Sequence, residues 1–201
     1  MDSTASIQEA LQVLRDGGVI LYPTDTVWGI GCDATNEKAV ARVYAIKRRS
    51  EAKSLVLLAS DLDMVAKHIK VVPSIAIDLV DVNDAQMTII YPGAQYLAPN
   101  VVAEDGSVGI RIPIADEAAV PGRLTAGAWC RELVRRLRRP LVSTSANISG
   151  EPTPETFADI SGEIRTAVDY VVPKVFGTGA TGRSSQIIKL GIDGEVQILR
   201  P

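Results

Sequence analysis

A chain of 201 residues with 46% hydrophobic and 22% charged side chains is long enough to bury roughly 70% of its unfolded surface as one globular unit, with no need for a metal or disulfide staple. Its formal net charge of −3 excludes a generally basic nucleic-acid coat, so any contact with a polyanion has to be local. The two cysteines, Cys32 and Cys130, lack CxxC spacing and are too few for a disulfide framework, so inert thiols in a reducing interior are expected.

The opening MDSTASIQEALQVLRDGG carries acidic residues where a secretory signal needs a basic flank and a long apolar centre. No stretch approaches the roughly 20 apolar residues of a membrane span, so a cytoplasmic protein is expected. Ile7, Ala10, Leu11 and Leu14 repeat at helical spacing and stop at Gly17 and Gly18, a pair suited to ending a helix in the left-handed conformation. Residues 19–22 then read as a buried strand, followed by a polar loop. Asn36 can cap a second helix with Ala39, Val40, Val43 and Tyr44 facing the core and Lys47 near its C-terminal end.

Residues 54–59 are a predicted strand. Ser60 is placed to cap a third helix with Leu62, Val65, Ala66 and Ile69 inward, and residues 73–82 repeat that pattern more weakly. Strands are predicted over 87–91 and 108–113, around a connection bearing glycine and proline. Over 124–138, Cys130, Leu133, Val134 and Leu137 share one stripe opposed by Arg131, Glu132, Arg135 and Arg138. A strand follows at 141–145, and Pro154 stands where a helix tolerates proline in its first turn. The last segment reads as a hairpin turning at Asp193 and Gly194. Strands and helices alternate with no linker, repeat or low-complexity tract, so the expectation is a single α/β domain over residues 1–201 with some antiparallel pairing.

Two distant segments, YPTDTVWGIG at 22–31 and STSANISGEPT at 143–153, place small hydroxyl and amide side chains directly after apolar runs, as segments lining a site do. The cluster KRRSEAKS at 47–54 sets four cations within seven positions. A solvated helix end, favoured by the macrodipole, is one meaning. The other is a polyphosphate site, because loops from neighbouring strand ends in an open α/β sheet meet at one crevice. Ser145 and Asn147 can hold substrate oxygens or simply form a turn. Arg111, in mid-strand, is either one half of a structural ion pair or a ligand clamp.

Other chemistries find less support. The single histidine, His68, lies in an amphipathic helix without a serine or cysteine motif and is expected at the surface; with two scattered cysteines it makes neither a triad nor a zinc site. The stretch GTGATGR at 177–183 lacks the GxxxxGK[ST] order and leads into a strand, so a flexible loop or lid is expected. Arg135, Arg136, Arg138 and Arg139 form either a solvated helix face or an RNA patch.

Taken together, YPTDTVWGIGCDA, the KRR of Lys47 and Arg49 in KxR positions, VGIRIP and STSANISGEPT resemble the YrdC-domain family, the L-threonylcarbamoyladenylate synthases, from about Gly18 to Pro201. That resemblance implies a single YrdC-like α/β domain, a twisted open mixed sheet flanked by helices with a concave, positively charged site. It also implies a nucleotidyltransferase that forms threonylcarbamoyl-AMP and pyrophosphate from L-threonine, bicarbonate and ATP, and partner enzymes that pass the group to a tRNA adenosine. By motif matching, Lys47, Arg49, Ser145 and Asn147 are the catalytic set. Thr24, Thr26, Lys53, Arg111, Ser143, Thr144, Ser184 and Ser185 are the substrate and ATP contacts. Magnesium is expected to arrive with ATP, with no dedicated protein metal site.

The family commonly has PGPxT after the middle strand where this chain has PGAQY at 92–96, tyrosine where Trp28 stands, and prolines where Ser50 and Ser54 stand; GRSSQII matches the family's Ser- and Thr-bearing strand start in part. Closure over substrate is expected from local loops, with no contact to a membrane. The alternatives are an RNA-binding module of the same fold, or at least a weak RNA contact, and carbamoyl transfer with another substrate.

Overall fold

A computed structural model of the chain describes residues 2–50, 55–82, 84–115 and 124–201. Helix α1 (Ser3–Arg15) starts where the Asp2 carboxylate accepts from the Thr4 amide at 3.1 Å, and it buries the stripe Ile7, Ala10, Leu11 and Leu14. Gly17, with φ of +80°, then turns the chain into β1 (Ile20–Tyr22), all of whose side chains are buried. The YPTDT segment does not stay a loop. It returns as β2 (Gly29–Gly31), antiparallel to β1, a strand too short and glycine-rich to show in any alternation pattern.

Asn36 caps α2 (Glu37–Lys47) as expected, accepting from the Ala39 amide at 3.2 Å. After β3 (Val56–Leu58), the cap of α3 (Leu62–His68) is Asp61 and not Ser60. The charged Asp61 carboxylate accepts from the Met64 amide at 2.8 Å, and the Ser60 hydroxyl donates to that carboxylate at 2.7 Å; the stronger acceptor takes the cap. Helix α4 (Ser74–Val82) buries only Ala76. Strands β4 (Met87–Tyr91) and β5 (Val108–Arg111) precede α5 (Ala126–Leu137), which packs against α1.

Strand β6 (Leu141–Ser145) is followed by a departure from expectation at Pro154. No helix starts there. Thr156 and Asp159 bond to each other across a single 3-10 turn, Phe157–Asp159, and α6 (Gly162–Ala167) begins only after Ser161, whose hydroxyl accepts from the Ile164 amide. Then come β7 (Tyr170–Val171), unforeseen at two residues, and the expected hairpin of β8 (Gln186–Leu190) and β9 (Val196–Arg200).

Among the described residues nine strands form one mixed sheet in the order β7-β1-β2-β6-β3-β5-β4-β8-β9, flanked by helices. Strand β6 is its hinge piece. One edge pairs with β2 (Gly29 opposite Ser145), the other with β3 (Val56 opposite Ser143), so the SAN motif lies between the YPTDT and KRR segments. Two glycines allow this closeness. A Cβ on Gly31 would lie 1.8 Å from the Val142 carbonyl oxygen, and one on Gly127 would lie 1.9 Å from that of Ile114 and 3.0 Å from Asp25. Because the obstacle is backbone in a buried sheet, Gly31→Ala is expected to cost about 3 kcal/mol, the upper end for overpacking. Urea unfolding checks this; an unchanged midpoint would show that the strands have room to separate.

Candidate functional site

The fold brings the polar segments to one cavity of about 260 Å³. The β1–β2 connection supplies Thr24 and Thr26, β6 supplies Ser143, Thr144 and Ser145, and the chain leading into β8 supplies Ser184 and Ser185. Three guanidinium groups also line it, from Arg49, Arg111 and Arg200, and no aspartate or glutamate among the described residues does. Seven hydroxyls and three cations without a carboxylate make a surface for anions, in particular for oxygens spread over several centres.

The hydroxyls are positioned by a local network. Thr24 Oγ1 donates to the Val27 carbonyl at 2.8 Å and shares a 2.7 Å bond with Thr26 Oγ1. Ser185 Oγ is 2.8 Å from Thr88 Oγ1, both buried. Ser145 Oγ donates to Asn147 Oδ1 at 2.5 Å, and the Asn147 amide donates to the Ile148 and Glu151 carbonyls at 3.1 and 2.6 Å. Asn147 therefore acts within its own loop and does not line the cavity.

The KxR pair splits across the wall. Arg48, with φ of 49°, ends α2 in the left-handed conformation, turning Lys47 inward and sending Arg49 to the cavity. Lys47 is 2% exposed, and its ammonium donates to the Ser145 and Asn147 carbonyls at 2.5 and 2.7 Å and to Asn147 Oδ1 at 3.3 Å. The Ser149 amide in turn donates to the Lys47 carbonyl at 2.9 Å. Lys47 is thus a strut beneath the SAN loop, outside the lining. Burial first, and the nearby Arg49 second, push it down to about 8. Arg48 points outward to Glu163 at 2.6 Å. Lys53 lies outside the described residues.

Arg111 resolves toward the ion pair. Its Nη1 donates to Asp25 Oδ1 and its Nη2 to Thr26 Oγ1 at 3.3 Å, while Asp25 Oδ2 accepts from the Ile114 amide at 3.0 Å. Both ions are nearly inaccessible, so the guanidinium forms a wall of the cavity with its charge already balanced. Arg200, which the sequence shows only as part of a hairpin, enters the same cavity; no motif marks it, because its placement depends on the pairing of β8 with β9.

Elsewhere three expectations change. His68 is buried rather than exposed, with Nδ1 3.3 Å from the Gln95 carbonyl, and burial lowers its pKa. That contact ties the PGAQY segment to the end of α3, and none of residues 92–96 lines the cavity. The GTGATGR loop is anchored rather than loose: the Thr181 and Gly182 amides donate to the Asp25 and Thr26 carbonyls at 3.0 and 2.8 Å. Of the arginines near the end of α5, Arg135 and Arg136 share Glu132 and Arg139 pairs with Asp33, so part of the charge of this cluster is balanced locally. Cys32 and Cys130 are buried, and burial pushes both thiols up. Among the described residues no group of three His, Cys, Asp or Glu could hold a metal, and no helix is long and apolar enough to cross a membrane.

Comparison with known proteins gives a consistent result. The family model Sua5_yciO_yrdC, described as Telomere recombination, matches residues 12–201. A threonylcarbamoyl-AMP synthase of Xanthomonas axonopodis pv. citri is 32% identical over 203 residues, 100% of both chains. One from Pseudoalteromonas translucida is 30% identical over 199 residues, 98% of each. A variant of Sua5 from P. abyssi superimposes with a TM-score of 0.82 at 25% identity, over 97% of this chain and 56% of that one; the chain spans little more than half the length of that solved relative.

Proposed function

The chain belongs to the Sua5, YciO and YrdC family, and from that premise we propose that it is a threonylcarbamoyl-AMP synthase. The reaction joins L-threonine, bicarbonate and ATP: the threonine amine condenses with bicarbonate to a carbamate with loss of one water, a carbamate oxygen bonds to the α-phosphorus, and the bond from that phosphorus to the bridging oxygen breaks so that pyrophosphate leaves. In class it is nucleotidyl transfer, and its product would pass to tRNA-modifying partner enzymes. The relatives at 30–32% identity over the full chain carry this synthase name. The single structural observation that carries the proposal is the cavity lined by seven hydroxyls and three guanidinium groups, of which Arg111 is balanced by Asp25, with no carboxylate among the described residues of its wall.

The chemistry makes that lining useful. Carbamate and α-phosphate are both anionic, so they repel until cations and hydrogen-bond donors screen them, and holding them in line can contribute roughly 7–11 kcal/mol in favourable cases. Arg49 supplies a bidentate donor at the wall, Ser143, Thr144 and Ser145 supply neutral donors, and Thr24 and Thr26 bound the side where threonine fits. Lys47 and Asn147 hold the loop that carries Ser145. Among the described residues the cavity wall offers a magnesium ion no carboxylate, so the ion would come on the phosphates of ATP, and we assign it no step.

With threonine, bicarbonate, ATP and magnesium present, pyrophosphate release should depend on threonine. Release without threonine, or none with it, would refute the assignment. Arg49→Ala is expected to weaken substrate handling by roughly 1.5–3 kcal/mol per lost charge-assisted bond, and Arg49→Lys to recover only part of it because an ammonium lacks the planar fork. Wild-type kcat/KM in Arg49→Ala would remove that side chain from the site.

A further inference from the structure

We infer that β9 is an interface between two copies of this chain, pairing antiparallel with its own counterpart across a twofold axis so that the two sheets join edge to edge. Among the described residues β9 is the outermost strand and has only β8 beside it, so one of its edges is open. All five of its residues are exposed, with Val196 at 47%, Ile198 at 68% and Leu199 at 49%. An open row of amides and carbonyls flanked by apolar side chains is a template for another strand, and edges that stay free are usually blunted by lysine, proline or an inward-pointing charge. Positions 196–199 read Val-Gln-Ile-Leu and carry none of these. The one irregularity lies beyond them: Ile188 faces Ile198, and then a bulge at Leu199 slips the register so that Ile187 faces Arg200. Arg200 turns back on its own chain, its Nε donating to the Ser185 carbonyl at 2.8 Å, and does not guard the edge.

The pattern of the strand selects the occupant. Val196 and Ile198 lie opposite Leu190 and Ile188, and opposed residues share a face of the sheet. Leu190 and Ile188 are buried, so the core-side apolar face runs on past its cover and out to the edge. Gln197, opposite Lys189, belongs to the other face. A twofold axis perpendicular to the sheet keeps each face on its own side, so a residue can meet only residues of its own face and the axis has to pass through a residue. Centred on Gln197, the strand is complementary to itself. Val196 meets Ile198 of the second copy, Ile198 meets Val196 of the second copy, and the two Gln197 amides, each both donor and acceptor, meet on the opposite face.

The flanks agree in charge. Asp193 and Glu195 precede the strand and Arg200 closes it, so the antiparallel arrangement lays the acidic end of each copy alongside the basic end of the other. A foreign peptide would have to carry this complement; the chain already has it. Five residues a side fall short of the roughly 20–30 a side of a standard interface, so the association is a reversible, concentration-dependent one.

Sedimentation equilibrium of the full chain over a concentration series tests this: the weight-average mass should climb from that of one chain toward twice that value. Ile198→Lys, which sets a charge on the open edge, should hold the mass at one chain throughout, with the thermal midpoint at low concentration unchanged. In Gln197→Cys the two new thiols meet at the axis, where the Cα atoms of opposed antiparallel residues lie about 4.5–5.5 Å apart, within disulfide reach. Mild oxidation should therefore give a covalent dimer on a non-reducing denaturing gel, and Asp193→Cys, away from the axis, should give far less. Cys32 and Cys130 are buried and do not compete. A wild type that stays monomeric overturns the inference. So does association that survives Ile198→Lys, which places the contact elsewhere, and so does equal crosslinking of the two cysteine variants, which marks random collision.

Discussion

Replacing Arg111 with methionine should lower the unfolding free energy by about 3–5 kcal/mol, because it strands the Asp25 carboxylate in a site 3% exposed to solvent. Asp25→Asn should cost a comparable amount by stranding the guanidinium. The two losses share one cause and cannot add. In the double variant Arg111→Met with Asp25→Asn neither charge is left unpaired, so it should be more stable than the sum of the single losses by at least 2 kcal/mol, as denaturant unfolding of the four proteins in a mutant cycle measures. Additive losses would mean that the pair is not a unit and that the two side chains matter for separate reasons. The result bears on function as well, since Asp25 also receives the Ile114 amide and its own carbonyl receives Thr181. Loss of the pair should loosen the YPTDT and GTGATGR segments together.

The second large effect is expected at Lys47. Lys47→Met leaves the Ser145 and Asn147 carbonyls and Asn147 Oδ1 without their donor, at about 1–3 kcal/mol for a buried group left unsatisfied. It also frees the loop carrying Ser145, and displacement by about 1 Å in such a site can cost 10²-fold in rate. Lys47→Arg should fail to rescue, because a planar fork cannot converge on three acceptors around one point. Activity and stability should respond to pH with opposite signs. Burial lowers Lys47 from 10.5 to about 8, so between those values the unfolded chain keeps a proton that the folded chain has shed, and stability rises with pH. The cost of burying the ammonium is fully present below about pH 8 and is relieved above it. Activity that needs the charged strut should instead fall as pH rises through about 8 while unfolding free energy does not. An activity limb that moves with an unfolding transition would contradict this role.

How far the sequence discloses such features differs by residue. The helices of the N-terminal half were legible because their caps and stripes are local: Asn36, three positions before Ala39, states where α2 begins. Where two local signals compete, strength decides, as with Asp61 over Ser60 and with Thr156, Asp159 and Ser161 over Pro154. Strands β2 and β7, of three and two residues, have no pattern of their own and exist only because a partner strand supplies their hydrogen bonds. Lys47 and Arg49 stand out as a motif, yet nothing in KRR says that one is a strut and the other a wall; the left-handed turn at Arg48 makes that division.

The sequence alone therefore determined the α/β alternation, the polar segments that make the site and, through four motifs in order, the family. Those are properties of spacing along the chain. Tertiary structure alone decided that Arg111 is neutralised by Asp25, that His68 is buried, that Asn147 bonds to its own loop, and that Arg200 enters the cavity across a bulge. Each of these depends on which groups from distant segments exclude water from one another, and burial and charge balance are set by that three-dimensional neighbourhood, which residue order does not express.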